Sequence, residues 1–236
     1  MSRLSDSHHF RKTTAGMCMV AAPLLLVVGM IVHPESKTDV GDQLAVISAN
    51  MDDWYAAHLI LAIALVLAVP AVLGLMHMLR EREVAYGHLG GGLAMVGLLA
   101  TMGIVAMEGF VGWQAGAATG SDQAAMMALF ERVTDTNGIV IPFFVMSFAF
   151  TVGMLFLAAG LYRARAVQSW TAAMLGLGSI VFAVGSGMAE NTVAVIGAAV
   201  LLVGFFQVGR MVLSESDEEW EHTPEYSGFR HLAGTR

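Results

Sequence analysis

Four ionisable residues stand at or near the ends of long apolar stretches of the sequence. His33 follows the first stretch, His58 lies near the start of the second, Glu108 lies inside the third, and Glu190 follows the fifth. Ionisable side chains in such surroundings mark a functional site by default. Imidazole and carboxyl groups together suit a proton, zinc or another divalent metal. His33, His58, Glu108 and Glu190 therefore form the candidate polar pocket of the chain.

Glu108 is the most informative of the four residues. It precedes Trp113 by five residues, which puts it about 8 Å below a membrane interface at 1.5 Å per helical residue. A carboxylate facing lipid at that depth costs a few kcal/mol. We expect Glu108 to turn into the interior of a helix bundle and to have His58 as its polar partner. The structural alternative is a protonated Glu108, or one that bonds a neighbouring helix or trapped water.

The spacing of these residues does not identify a cofactor. The four residues lie on different stretches without an HxxxH or HExxH motif, so a hydrogen-bonded network is favoured over a metal site. Haem ligation by His33 with His58, or by His77 with His88, is a weaker alternative. The 17 methionines are scattered and are better explained by packing than by copper binding. No catalytic residues are predicted, because nucleophile and kinase motifs are absent from the sequence.

Composition and hydropathy define the elements that must position these residues. Hydrophobic residues make up 56% of the 236 positions and charged residues only 13%, whereas a soluble domain has about 25% charged residues. Six stretches are long enough to cross a bilayer as helices. They run from Thr14 to Val32, Tyr55 to Met78, Gly90 to Gly112, Gly138 to Tyr162, Trp170 to Met188, and Thr192 to Val212. The predicted fold is all-α, a bundle of six transmembrane helices.

Lysine and arginine predict the orientation of these helices. Only Lys37 and Arg132 fall on one side of the predicted membrane. The other ten fall on the opposite side, namely Arg3, Arg11, Lys12, Arg80, Arg82, Arg163, Arg165, Arg210, Arg230 and Arg236. Basic residues favour the cytoplasmic face, so both termini are predicted to be cytoplasmic. Trp54, Trp113 and Trp170, at span ends, are predicted to anchor in the headgroup region.

The chain divides into a cytoplasmic N-terminus (residues 1–13), a six-helix domain (14–213) and an acidic cytoplasmic tail (214–236). Two similar segments, around Asp42 to Met51 and around Ser121 to Val133, predict short amphipathic helices on the outer surface. Each precedes a span that ends in a Gly-Leu pair and two arginines. This predicts a repeat of three hairpins, the last without an outer helix. The tail is expected to be largely solvated, although Trp220, Tyr226 and Phe229 would suit a docking segment.

One resemblance supports this topology. The residues Asp53-Trp54-Tyr55-Ala56-Ala57-His58-Leu59, with His33-Pro34-Glu35 and the closing segment from Gly204 to Arg210, resemble an uncharacterised family of small bacterial six-helix integral membrane proteins. The resemblance covers most of the chain. It implies a bacterial or archaeal plasma (inner) membrane and transfers no activity.

Two classes of function follow from the sequence. The first is a structural, accessory or envelope-sensing membrane component, which the absence of catalytic motifs favours. The second is a transporter or membrane enzyme that uses the polar pocket for a proton, metal or small amphiphile. The expected partners are the lipid bilayer and either another membrane protein or a second copy of the chain. Nucleic acid is not expected, because the net charge of −7 leaves no basic footprint.

Overall fold

A computed structural model describes residues 7–119, 121–134 and 137–221, without the side chains of residues 121 and 133–144. Over these residues the chain is helical and has no strand. Six helices are long and apolar enough to cross a membrane. The predicted all-α polytopic bundle is therefore confirmed.

Four of the spanning helices begin and end within four residues of the predicted stretches, whereas the first begins seven residues earlier and the third is longer at both ends. They are α1 (Ser7–Val32), α3 (Met51–Met78), α4 (Val84–Ala106), α7 (Asn137–Arg163), α8 (Ser169–Gly187) and α9 (Asn191–Ser214). The third span is longer than predicted, because α4 continues through a π turn (Met107–Val111) into α5 (Gly112–Ala117). Three further helices lie outside the spans: α2 (Val40–Ala49), α6 (Ser121–Thr134) and α10 (Asp217–Glu221).

The six spanning helices form a ring around a central space. Each packs against the next in the order α1, α3, α4, α7, α8, α9, and α9 packs against α1. The most extensive packing joins α1 with α3, α4 with α7, and α8 with α9, which are the three hairpins predicted from the sequence. We call the end that carries α2 and α6 the cap end, and the end that carries Ser7 and α10 the terminal end.

The Gly-Leu pairs occupy matching places in the first two hairpins. A Cβ atom on Gly74 of α3 would lie 2.9 Å from the Cβ of Ala15 on α1. A Cβ atom on Gly160 of α7 would lie 2.7 Å from the Cβ of Tyr86 on α4. Each glycine therefore lets its helix approach its hairpin partner closely. This correspondence agrees with the repeat, whose superposition stays a prediction.

Helices α2 and α6 pack on the cap end of the bundle. Ile47 of α2 is fully buried, and with Leu44, Phe130 of α6 and Trp54 it forms a small second core. The Ser48 hydroxyl donates to the Gly116 carbonyl of α5 at 2.9 Å. Both segments predicted as short amphipathic helices are thus helical and present an apolar face to the bundle, although the side chain of Val133 lies outside the described residues.

The terminal end differs from the solvated tail that was predicted. Trp220 of α10 is only 4% exposed and stacks on His77, with ring centroids 4.4 Å apart. The His77 ring donates to the Trp220 carbonyl at 3.0 Å, and Lys12 pairs with Asp217. Residues 214–221 therefore dock on the bundle, because an aromatic ring and opposite charges meet there. The rest of the predicted tail, with Tyr226 and Phe229, lies outside the described residues.

Candidate functional site

A cavity of about 260 Å³ occupies the centre of the ring, and all six spanning helices line it. Along α3 its lining runs from His58 to Val72, a length of about 21 Å at 1.5 Å per residue. Most of the lining is apolar, whereas the end near the cap carries polar residues. We call this group the polar end of the cavity: His33, Ser36, His58, Glu108 and Asn191.

Three aromatic rings pack together beside the polar end. The His33 and His58 ring centroids are 4.9 Å apart. The ring centroid of Trp54 lies 4.9 Å from that of His33 and 4.4 Å from that of His58. The cluster joins the end of α1 to the first turns of α3, so the two imidazoles that were predicted to share a depth are also neighbours.

Hydrogen bonds to backbone carbonyls define the tautomer of both imidazoles. The Nδ1 of His58 lies 2.8 Å from the Trp54 carbonyl, and the Nδ1 of His33 lies 2.6 Å from the Pro34 carbonyl. A carbonyl oxygen only accepts, so Nδ1 carries the hydrogen in each neutral ring. Nε2 of each neutral ring is then an acceptor for a further partner.

Glu108 lies on the π turn, and Trp54 and His58 of the facing helix α3 contact this turn. The Trp54 indole N–H is shared between the carbonyls of Glu108 and Gly109, at 3.3 and 3.2 Å. Gly109 packs directly on His58, since a Cβ atom at Gly109 would lie 2.6 Å from the His58 Cβ. A π turn leaves backbone carbonyls for such outside donors and is frequent at functional sites.

The Glu108 side chain is half-buried and lines the cavity. This placement agrees with the prediction that it turns into the bundle interior. His58, its predicted polar partner, makes no hydrogen bond to it within the described residues, and the Nδ1 of His58 bonds the Trp54 carbonyl. Within the described part of the chain, the Glu108 carboxyl group makes neither a hydrogen bond nor an ion pair. A carboxyl group that faces an apolar cavity without a protein partner is costly unless something else bonds it.

Glu190 does not join the other three predicted residues. Its side chain is exposed at the start of α9 and does not line the cavity. The neighbouring Asn191 takes that place, donating to the carbonyls of His33 and Pro34 at 3.3 and 3.0 Å. Its Oδ1 accepts from the Ser36 hydroxyl at 3.1 Å. Asn191 and Ser36 were missed in the sequence, where a polar residue at a span end reads as an ordinary boundary.

The three tryptophans predicted as interface anchors have different surroundings. Trp54 is 4% exposed and belongs to the polar end, so the anchor prediction is wrong for it. Trp113 is half-buried against Tyr55, with ring centroids 5.3 Å apart. Trp170 is 43% exposed at the start of α8, which suits an anchor.

The arrangement can bind a polar group but does not form a metal cage. Among the described residues, no three His, Cys, Asp or Glu side chains lie close enough to hold a metal ion. Two imidazole nitrogens and one carboxyl group remain as hydrogen-bonding groups at the end of an apolar space. That combination suits a molecule with a polar head and an apolar chain.

Comparison with known proteins leaves the cavity as the main source of functional information. No family model matches the chain, and neither a curated protein nor a solved structure matches it. The six apolar spans indicate a membrane protein. Its molecular activity has to be inferred from the chemistry of the cavity.

Proposed function

We propose that this chain is a multi-pass protein of the plasma membrane that binds a small amphiphile inside its helix ring. The observation that carries the proposal is a single cavity that is apolar over most of its length and polar at one end. The hydrocarbon half-thickness of a bilayer is about 15 Å, and the lining along α3 covers about 21 Å. The cavity thus has room for one extended chain with its polar head beside Glu108.

The proposal includes an orientation in which the cap end faces outward and both termini are cytoplasmic. Of the nine lysine and arginine residues that the structure describes, seven lie toward the terminal end and two, Lys37 and Arg132, toward the cap end, and basic residues concentrate on the cytoplasmic face. The resemblance to small bacterial six-helix membrane proteins supports a plasma membrane. The polar end would then lie in the outer leaflet, where an amphiphile from that leaflet would place its head.

A second candidate is a structural or accessory component that binds a membrane-protein partner. The docked α10 favours it, because the exposed side chains of Arg11, Glu218 and Glu219 give the terminal end a charged surface for a partner. On this alternative the cavity is a packing feature and holds nothing specific. The two candidates therefore differ in whether blocking the cavity removes a bound molecule.

The experiment blocks the cavity and examines what copurifies with the protein. Ala68 lines the cavity, whereas Val66, two residues away on the same helix, is 59% exposed on the outer face. We expect wild-type protein and Val66→Phe, purified in mild detergent, to carry one amphiphile per chain by native mass spectrometry. Ala68→Phe should lose it while eluting normally from a sizing column.

A second variant with a smaller side chain keeps the test valid if Ala68→Phe misfolds. Ala64 is buried and also lines the cavity, so Ala64→Leu should weaken the same binding with less strain. Equal amounts of bound amphiphile in wild type, Ala68→Phe and Ala64→Leu would contradict the proposal. That result would favour the structural role.

A further inference from the structure

We infer that the polar head taken by this cavity is a hydrogen-bond donor, and that a primary amine fits it best. This inference rests on the proposed function and names the chemical class of its ligand. It follows from counting which groups at the polar end are already bonded and which remain.

The groups that remain are acceptors. Nε2 of His33 and Nε2 of His58 are acceptors in the neutral rings, because each Nδ1–H is bonded to a backbone carbonyl. The Glu108 carboxyl group adds two oxygens and lines the same cavity. Three side chains, from the π turn, from α3 and from the end of α1, thus offer lone pairs to the polar end of the cavity.

The donors in the same region are already used by the protein. The Asn191 amide hydrogens are bonded to two carbonyls, and the Ser36 hydroxyl is bonded to Asn191. The Trp54 indole N–H is bonded to the π turn. Deeper in the cavity, the Thr101 hydroxyl donates to the Gly97 carbonyl at 2.8 Å. Ser186, whose hydroxyl can donate or accept, is exposed at the edge of the lining.

The charge of the cavity lining also favours an amine as the head group. Among the residues that the structure describes, the lining of the cavity contains neither lysine nor arginine, so a phosphate or carboxylate head would lose its water and gain no cationic partner there. It would also face the Glu108 carboxyl group. An ammonium head would instead pair with Glu108 and keep further N–H groups to donate to an acceptor beside it.

The test compares amphiphiles that share one tail and differ in the head. Dodecylamine, dodecanol, dodecyltrimethylammonium and dodecanoate are titrated into wild-type protein in nanodiscs, with Ala68→Phe as the background for partition into lipid. We expect dodecylamine to bind most tightly. Dodecyltrimethylammonium should bind at least about tenfold more weakly, because it keeps the charge but has no N–H to donate. Dodecanoate should not exceed the background.

A pair of variants then tests Glu108. Glu108→Gln should weaken dodecylamine binding by roughly 10- to 100-fold, the loss expected for a charged hydrogen bond, and should change dodecanol binding less. Glu190→Gln removes an exposed carboxylate outside the cavity and should leave both affinities unchanged. If Glu108→Gln does not fold, the wild-type series still decides the head group.

The outcomes separate this inference from the proposed function. Dodecanoate or dodecyltrimethylammonium binding as tightly as dodecylamine, above the Ala68→Phe background, would overturn the donor inference and leave amphiphile binding intact. Equal weakening of dodecylamine by Glu108→Gln and Glu190→Gln would also overturn it, pointing to surface charge. If no probe binds above the background, the proposed function fails and the inference fails with it.

Discussion

Trp54 connects three of the segments that build the polar end, namely the end of α1, α3 and the π turn. Its ring packs on His33 and His58, and its N–H reaches the carbonyls of the π turn. We expect Trp54→Phe to lower the free energy of unfolding by about 0.5–1.5 kcal/mol, because the Glu108 and Gly109 carbonyls would lose the indole donor and keep only the backbone N–H of Gly112. Trp170→Phe is the matched control, since that residue is 43% exposed and lies at the start of α8, away from the polar end. Chemical unfolding in mixed micelles measures both, and equal effects would contradict a role for the indole N–H.

Gly109 is the second residue on which the geometry of the π turn depends. A methyl group there would collide with His58, whereas a Cβ atom on Gly92 of α4 would meet nothing within 4 Å. We expect Gly109→Ala to cost about 1–3 kcal/mol of stability from overpacking and to weaken amphiphile binding by displacing His58. Gly92→Ala should be neutral or slightly stabilising. Unchanged unfolding and binding in Gly109→Ala would show that α3 and α4 separate easily at this point.

The depth of the polar residues could be predicted from the sequence, but their direction could not. Hydropathy placed His33, His58 and Glu108 near one level, because helical rise is fixed at 1.5 Å per residue. Glu190 and Asn191 differ by one residue and hence by about 100° around a helix. Only tertiary packing decides which of them faces the ring. The π turn was missed for the same reason, since contacts with Trp54 and His58 support it from another helix.

At the scale of elements, α10 is held to α1 by paired charges. Asp217 contacts Lys12 and His9, and Glu221 contacts His8 and Arg11. Its hydrogen bond with Lys12 holds the pKa of Asp217 below its ordinary value of 3.8. The hydrogen bond with His8 lowers the pKa of Glu221 below its ordinary value of 4.5. Because the pKa of each carboxyl group is lowered, both carboxylates stabilise the docked helix fully at pH values above their ordinary pKa values. This stabilisation is lost as the pH falls through the lowered pKa values.

We therefore expect α10 to undock in acid while the spans stay folded. Amide hydrogen-exchange protection of residues 217–221, corrected for intrinsic rates, should be high at neutral pH and fall once the pH drops below about 4. The double variant Asp217→Asn, Glu221→Gln should show weak protection already at neutral pH. Protection that stays constant through the acid range in the wild type would mean that Trp220 packing alone holds the helix.

The orientation belongs to the whole molecule and can be tested from outside the cell. Thr119 is exposed at the cap end and Ser169 is exposed at the terminal end. A cysteine at Thr119 should react with an impermeant thiol reagent in intact cells, whereas one at Ser169 should react only after lysis. The native Cys18 is buried, so unsubstituted protein supplies the background. Labelling at Ser169 with silence at Thr119 would invert the proposed orientation.

Because the ring of helices is closed, the order of the hairpins along the chain can be changed by circular permutation. Each hairpin starts and finishes at the terminal end, and α9 packs against α1, so the ring has no obligatory first helix. A circular permutant that links the docked α10 to Ser7 and opens the connection at residues 79–83 would run through the second, third and first hairpins. Every helix would keep both neighbours and its direction across the bilayer, and permutation succeeds where chain ends lie close together. Such a chain should assemble and retain the cavity, which would make the hairpin the unit from which the protein is built.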